Sequence, residues 1–454
     1  MSDALQPDAA ASSAPDRFAF LHIDLNSFFA SVEQQLHPEY RGRPLAVVPM
    51  MADTTCCIAA SYEAKALGIR TGTQVGEAKR LCPGIILVSG HHSDYADYSR
   101  RISEAVDLVC PVAHTPSVDE MVCQLLGREC EPPRTRQIAL EIKQAIRTHV
   151  GDTLRCSIGM APNRYLAKVA SDMQKPDGLI GLLPSQLPRA IAHLELRDLP
   201  GIGPRMERRL NAKGITTMEQ LLALDRAGVH ALFDSVWGDR MYHWLRGHQT
   251  GDDEAHGSFG AEEVQKSLGH SHVLAPNLRT VDGAWAVAHK LLHKAAMRLR
   301  MEELYCGSLA LTIRFTVRDA TGTTAPSGKR VKEHFSGVRH EGWGMEARFA
   351  DCHDTLSLIE VLRSLWEQRP TGPRFNKPFF VGVTLARLTP AEDVQPSLFA
   401  DPGHRDDLAA AMDKLNLKYG HSTLHFAGMM PARTSAPTRI AFTQIPVKYG
   451  VDYM

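Results

Sequence analysis

"LHIDLNSFFASVE" (21–33) runs an apolar, strand-like stretch into a carboxylate and then, four residues on, into two phenylalanines. "RFAFLHID" (17–24) reads as a central strand. "SFFASVEQQL" (27–36) places Phe28, Val32 and Leu36 on one face of a helix. A carboxylate at the end of a buried strand is expensive unless it meets a cation or a hydrogen-bond donor. Asp24 also has the simpler reading of an N-cap for the helix that follows. Its position is explained by other acids, by a source of positive charge, or by both.

"SVDE" (117–120) supplies two adjacent carboxylates, Asp119 and Glu120. Neighbours on a regular strand face opposite sides, so both reach one ion only at a bend or hairpin tip. Thr115, Pro116 and Ser117 make such a bend reasonable. Taken alone, the pair reads as an exposed acidic turn. Taken with Asp24, it forms a three-acid set whose oxygen donors suit magnesium. Two metals about 4 Å apart can activate a hydroxyl and stabilise the leaving oxygen of a phosphoryl group.

The 454 residues are too many for one core, and the composition, 44% hydrophobic and 22% charged, is that of an ordinary globular protein. No apolar run of about 18 residues suggests a membrane span. "MSDALQPDAAASSAPDR" lacks the features of a secretory signal, and residues 1–16 read as a disordered tail. The nine cysteines show no CxxC and no disulfide framework, which fits a reducing cytoplasm. The net charge of zero excludes a uniformly basic nucleic-acid binder, but charge is segregated: residues 262–390 hold 18 Lys and Arg against 13 Asp and Glu.

Strands alternate with helices up to about residue 180, as in a layered α/β or α+β domain. Residues 187–250 read as helical and contain "LPGIGP" (199–204), and the acidic stretch 251–264 reads as a linker. Beyond it, "TVDGAWAVAHKLLHKAAMRLRM" then "GSLALTIRFTVRD", and "LSLIEVLRSLWEQ" then "FFVGVTLARLTP", form two helix–strand pairs, a small split α+β domain. The remainder reads as irregular, apart from a helix and a strand expected in "DDLAAAMDKLNLKYGHSTLHFAG".

"HIDLNSFFASVE", "AASYEAKALGIRTG", "SVDE", "SIGMAPNRYLAKVASDMQKPDG", "LPGIGP" and "KSLGHSHVL" occur in the order seen in Y-family DNA polymerases, and the chain resembles their bacterial DinB-like, translesion branch over about residues 17–390. The resemblance implies an α+β multidomain, right-hand architecture. Its parts would be a palm (17–25 and 92–186), fingers (26–91), a helical thumb with a helix-hairpin-helix turn (187–250), a little finger (265–390) and a C-terminal tail (391–454).

It further implies that Asp24, Asp119 and Glu120, with the Leu25 carbonyl, hold two Mg2+ ions. Phe28 and Phe29 would lie at the nucleotide, Phe29 as the ring that collides with a ribose 2′-OH, although Phe28 also suits a core role. Tyr62, Lys65 and Lys175 match positions that contact the triphosphate. Gly201 and Gly203 would bring backbone N–H groups to a DNA phosphate beside Arg205, Arg208 and Arg209. Arg298, Arg300, Arg314, Lys329, Arg330 and Lys332 would follow the duplex backbone.

"QPSLF" (395–399) resembles a sliding-clamp-binding peptide read through Gln395, Leu398 and Phe399. The expected partners are therefore primer–template DNA, dNTP and a sliding clamp, bound by a monomer. Lys65 stands where the family usually has arginine, Ala59 where a hydroxyl residue is expected, and Asn26 where a second aspartate is frequent. The rival readings are a non-catalytic, polymerase-like accessory subunit and a nucleotidyl cyclase on a palm-like fold.

Overall fold

The structure is a computed structural model that describes residues 16–53, 55–251, 266–317, 332–333, 339–394, 403–420 and 423–433. The chain divides into two compact units between Ala261 and Glu262.

The first unit is built on a sheet of order β5-β6-β1-β7-β8, formed by β1 (Phe20–Leu25), β5 (Val112–Ser117), β6 (Glu120–Gln124), β7 (Cys156–Ala161) and β8 (Leu179–Gly181). All six residues of β1 are buried, as expected of a central strand covered on both faces. Alternation sorts its side chains. Leu21, Ile23 and Leu25 pack with α4 (His92–Asp107) and α5 (Pro132–His149). Phe20 packs on the other face with α6 (Arg164–Met173), and His22 and Asp24 share that face with it. Asn163 caps α6 by accepting the Leu166 N–H.

Between β1 and α4, the chain forms α1 (Phe28–Leu36) and a small sheet of order β3-β2-β4, from β2 (Leu45–Val48), β3 (Ala59–Ala60) and β4 (Ile86–Ser89), with α2 (Tyr62–Ala66) and α3 (Val75–Leu81). After β8 come 3-10 turns and four short helices: α7 (Pro204–Ala212), α8 (Met218–Leu222), α9 (Arg226–Phe233) and α10 (Val236–Leu245). They share a core with α6. Asp16, expected in the tail, accepts hydrogen bonds from the Ser185 N–H and hydroxyl.

The second unit is an antiparallel sheet of order β11-β12-β10-β13-β9. Its strands are β9 (Ser267–Val273), β10 (Leu304–Val317), β11 (Lys332–Glu333), β12 (Arg339–Cys352) and β13 (Pro378–Pro390). Leu309, Leu311, Ile313 and Phe315 of β10 share a core with Val381, Val383 and Leu385 of β13, beneath α11 (Val281–Met301) and α12 (Thr355–Glu367). Thr280 and Asp354 cap these two helices. The opposite face carries Arg314 in register with Gly342 and Phe380, and Thr312 with Gly344 and Gly382.

The expected boundary at 390 needs correcting. Residues 403–419 form α13 (Gly403–Tyr419), and Ala427–Ala432 form a 3-10 turn where a strand was expected nearby. Both belong to the second unit: Ala432 joins its core, and Arg300 of α11 holds Asp413 of α13 through two bonds of 2.7 and 2.9 Å. The reason was hidden in the sequence, because α13 docks through ion pairs rather than through a regular apolar stripe.

Candidate functional site

The two acidic motifs meet across β1 and β6. Asp24 stands directly opposite Glu120 in the antiparallel register, so both carboxylates lie on one face of the sheet. Ser117 pairs with Glu120, leaving Val118 and Asp119 as a two-residue hairpin turn. This is the bend that adjacent acids need. Ser117 Oγ lies 2.6 Å from Asp119 Oδ1 and 3.2 Å from Glu120 Oε2. Burial pushes the Asp119 carboxyl above its ordinary range; the Ser117 bond opposes the shift, and the Asp24 and Glu120 charges add to it.

Positive charge comes from α6 and the loop after it. Lys168 Nζ reaches Asp24 Oδ2 at 2.6 Å, Glu120 Oε1 at 2.5 Å and Asp172 at 3.2 Å. Lys175 Nζ reaches Asp24 Oδ1 at 2.6 Å and Asp172 Oδ1 at 2.7 Å. Burial works against both ammonium groups, but Asp24 and Asp172 outweigh it, with Glu120 also acting on Lys168, so both are held more firmly protonated than a free lysine. His22, on the same face as Asp24, is driven down to about 3 by burial and by Lys168.

A third lysine enters from α2. Lys65 donates to Ser27 Oγ at 2.7 Å and sits 4.4 Å from the centre of the Tyr62 ring. Burial and then the Lys175 charge lower its pKa. Ser27 occupies the left-handed region, with φ 51°, which turns the chain from β1 into α1 within two residues.

Phe28 and Phe29 both lie in the core of this unit, 3% and 8% exposed. Phe29 stacks on Tyr95 with ring centres 4.4 Å apart. The Tyr95 hydroxyl donates to Glu33 Oε1 at 2.6 Å. Phe28, the more buried of the two, packs within this core.

Among the described residues, no group of three His, Cys, Asp or Glu is gathered tightly enough to hold a metal ion. Lys168 separates Asp24 from Glu120, and Asp119 is turned to Ser117. The donors nevertheless suit a hard divalent cation: all are oxygens, and one positive charge already lies between two of them.

The family model described as impB/mucB/samB matches residues 23–172, and that family's C-terminal domain model matches residues 265–398. DNA polymerase IV of Moorella thermoacetica is 31% identical over 411 residues, spanning 90% of this chain and 95% of that protein. The enzyme of the same name from Pelotomaculum thermopropionicum is 30% identical, spanning 92% and 96%. The chain belongs to the Y-family of DNA polymerases. A Y-family polymerase chimera of Dbh and Dpo4 superposes with a TM-score of 0.66 at 20% identity, covering 82% of this chain and 99% of the chimera. An insertion ternary complex of Dbh DNA polymerase gives 0.52 at 21% identity with the same coverage. At these identities the likeness concerns the fold.

Outside the carboxylate cluster, the family motifs are placed as follows. Gly201 adopts φ +90°, and Gly203 is exposed at the start of α7, beside the exposed Arg205, Arg208 and Arg209. The element before this turn is a 3-10 turn, Leu196–Asp198, rather than a full helix. Arg314 projects from the face of the second sheet opposite α11 and α12, over the Phe380 ring. Arg348, which the sequence reading passed over, shares that face by register.

Arg298 and Arg300 belong instead to the helix layer. Arg298 pairs with Glu302 at 2.7 Å. Arg300, 9% exposed, also donates to the His353 carbonyl and Thr355, which corrects its expected place on DNA. Lys332 lies in β11. Lys329, Arg330 and the 395–399 peptide lie outside the described residues.

The sequence reading missed Lys168 and Asp172. Their four-residue spacing on one helix, seven and three residues before Lys175, was the available signal.

Proposed function

We propose that this chain carries out template-directed DNA synthesis of the low-fidelity, translesion type, joining a dNTP to a primer 3′-OH. The observation that carries the reading is Asp24 facing Glu120 across β1 and β6, with Asp119 at the adjoining hairpin tip and three lysines opposite. In this reading, Asp24, Asp119, Glu120 and the Leu25 carbonyl hold two magnesium ions, which supply positive charge at the attacking and leaving oxygens. Lys65 and Lys175 bind the triphosphate and offset charge as pyrophosphate leaves.

Phe29, backed by Tyr95, stands against the sugar and rejects a 2′-OH. The first unit provides palm, fingers and thumb, and the thumb turn at Gly201 and Gly203, with Arg205, binds the DNA backbone without reading sequence. The second unit acts as the little finger, with Arg314 on the duplex side. The chain works as a cytoplasmic monomer that engages a sliding clamp through Gln395, Leu398 and Phe399. No observation favours the accessory-subunit reading.

Primer extension with magnesium on an undamaged template tests the proposal. Extension by the parent chain supports it, and absence of extension with intact DNA binding overturns it. Replacing Leu398 and Phe399 together by alanine tests the clamp: clamp-free extension persists while stimulation by clamp disappears. Full stimulation in the double variant would place the contact elsewhere.

A further inference from the structure

Lys175 is presented by a short loop after α6, and the anchors of that loop lie outside the carboxylate cluster. Asp177 is held from α5 by two bases. Lys143 Nζ reaches the Asp177 carbonyl at 2.7 Å and its Oδ1 at 2.8 Å, and Arg147 reaches Oδ2 at 2.9 Å. Lys143 is 8% exposed, and both its acceptors belong to Asp177. Burying an ammonium is costly unless its partners are well placed, so this contact is specific in position.

The rest of the loop is equally determined. The Asp177 N–H donates to Asn26 Oδ1 at 2.7 Å, and Asn26 Nδ2 donates to Ser157 Oγ at 3.1 Å. Ser157 Oγ donates to the Gln174 carbonyl at 2.9 Å and accepts from the Gly178 N–H at 3.0 Å. The loop doubles back so closely that a Cβ on Gly178 would lie 1.9 Å from the Gln174 carbonyl oxygen. Both ends of the 174–178 segment are therefore fixed, and Lys175 leaves it toward Asp24 and Asp172. Asn26, one of the departures noted in the sequence, is part of this frame.

We propose that Lys143, assisted by Arg147, is a positioning residue for Lys175: by gripping Asp177 it fixes the loop from which Lys175 addresses the triphosphate of the incoming nucleotide. The proposal rests on the reading of Lys175 as a triphosphate contact. A rigid base matters because a lysine on a mobile loop must be ordered again each time a nucleotide binds, which weakens affinity rather than removing the contact.

The test measures dNTP affinity of the full chain on primer–template DNA, with magnesium and a dideoxy-terminated primer so that no bond forms. Lys175→Met is expected to weaken dNTP binding by about tenfold, and Lys143→Met by several-fold, with DNA affinity unchanged in both. Lys143→Arg, which can still grip Asp177, restores binding. The Lys143→Met/Lys175→Met pair binds no more weakly than Lys175→Met alone, because the first residue acts through the second. Should Lys143→Met fail to fold, Asp177→Asn keeps the N–H to Asn26 while losing the ionic grip, and gives the same comparison.

Wild-type dNTP affinity in Lys143→Met, or additive losses in the pair, overturns the proposal while leaving the role of Lys175 intact. Unchanged affinity in Lys175→Met removes that role and the proposal with it.

Discussion

In the first unit, the central strand ends in a carboxylate that meets two ammonium groups. In the second, the covered face of the central strand carries Leu309, Leu311, Ile313 and Phe315, and the buried charged groups lie on α11, at the start of α12 and on α13 instead. There Lys290 donates to the Ala432 and Arg433 carbonyls, and Arg300 grips Asp413. His289 and His293 are buried, and among the described residues Nδ1 of the first and both ring nitrogens of the second have no hydrogen-bond partner. Charge gathered at a strand end, in mutual reach and close to solvent, is arranged for a charged ligand. Charge laid between a helix and a later segment of the same chain holds that segment in place. The two sheets have the same number of strands, and the destination of their buried charge separates their roles.

That contrast predicts different failures. Asp119→Ala should reduce primer extension by about a thousandfold while the melting temperature holds, since its removal relieves a buried acid; comparable extension rates for variant and parent would break the comparison at its catalytic end. Arg300→Met should do the reverse. It leaves Asp413 buried without its bidentate partner, so the second unit should lose about 3–5 kcal/mol in urea unfolding, and Asp413→Leu in the same chain should recover much of it. A stability loss under about 1 kcal/mol would show that α13 is held by other means.

Phe29→Ala should raise incorporation of rNTPs relative to dNTPs on the order of a hundredfold, measured as a ratio of kcat/KM values. An unchanged ratio would leave Phe29 with a packing role only.

The smallest effect concerns pH. Burial lowers His289 and His293 to about 4; His289 also faces Arg363, and His293 faces Asp413, Arg300, His289 and His425. Below the unfolded value near 6.5, the unfolded chain takes up protons that the folded chain does not. Stability of the second unit is therefore full above about 6.5 and declines as pH falls toward about 4. Melting curves at pH 7 and pH 5 should show the decline, and His293→Leu should flatten it. A slope unaffected by that substitution would assign the pH response elsewhere.

Much of this arrangement was legible in the sequence. Strand β1, helices α11 and α12, and the hairpin tip at Asp119 follow from local periodicity and from the Thr115-Pro116-Ser117 bend before two adjacent acids. What stayed hidden depends on distant partners. Lys168 and Lys175 meet Asp24 across about 150 residues, and no local pattern records that closure. Glu33 of α1 is fully buried and accepts the Tyr95 hydroxyl from 62 residues away. Arg300 reads as surface charge because its partner Asp413 lies beyond the last motif of the family.

The attachment of 403–433 also sets where the chain can be cut. A fragment ending at Pro390 would strip Asp413 from Arg300 and two carbonyls from Lys290, and would uncover the surface that buries Met429 and Ala432. Exchange of the second unit between relatives must therefore carry these residues along. A graft that stops at the end of β13 transplants a sheet with an exposed cation and an open seam, and its misbehaviour would say nothing about DNA.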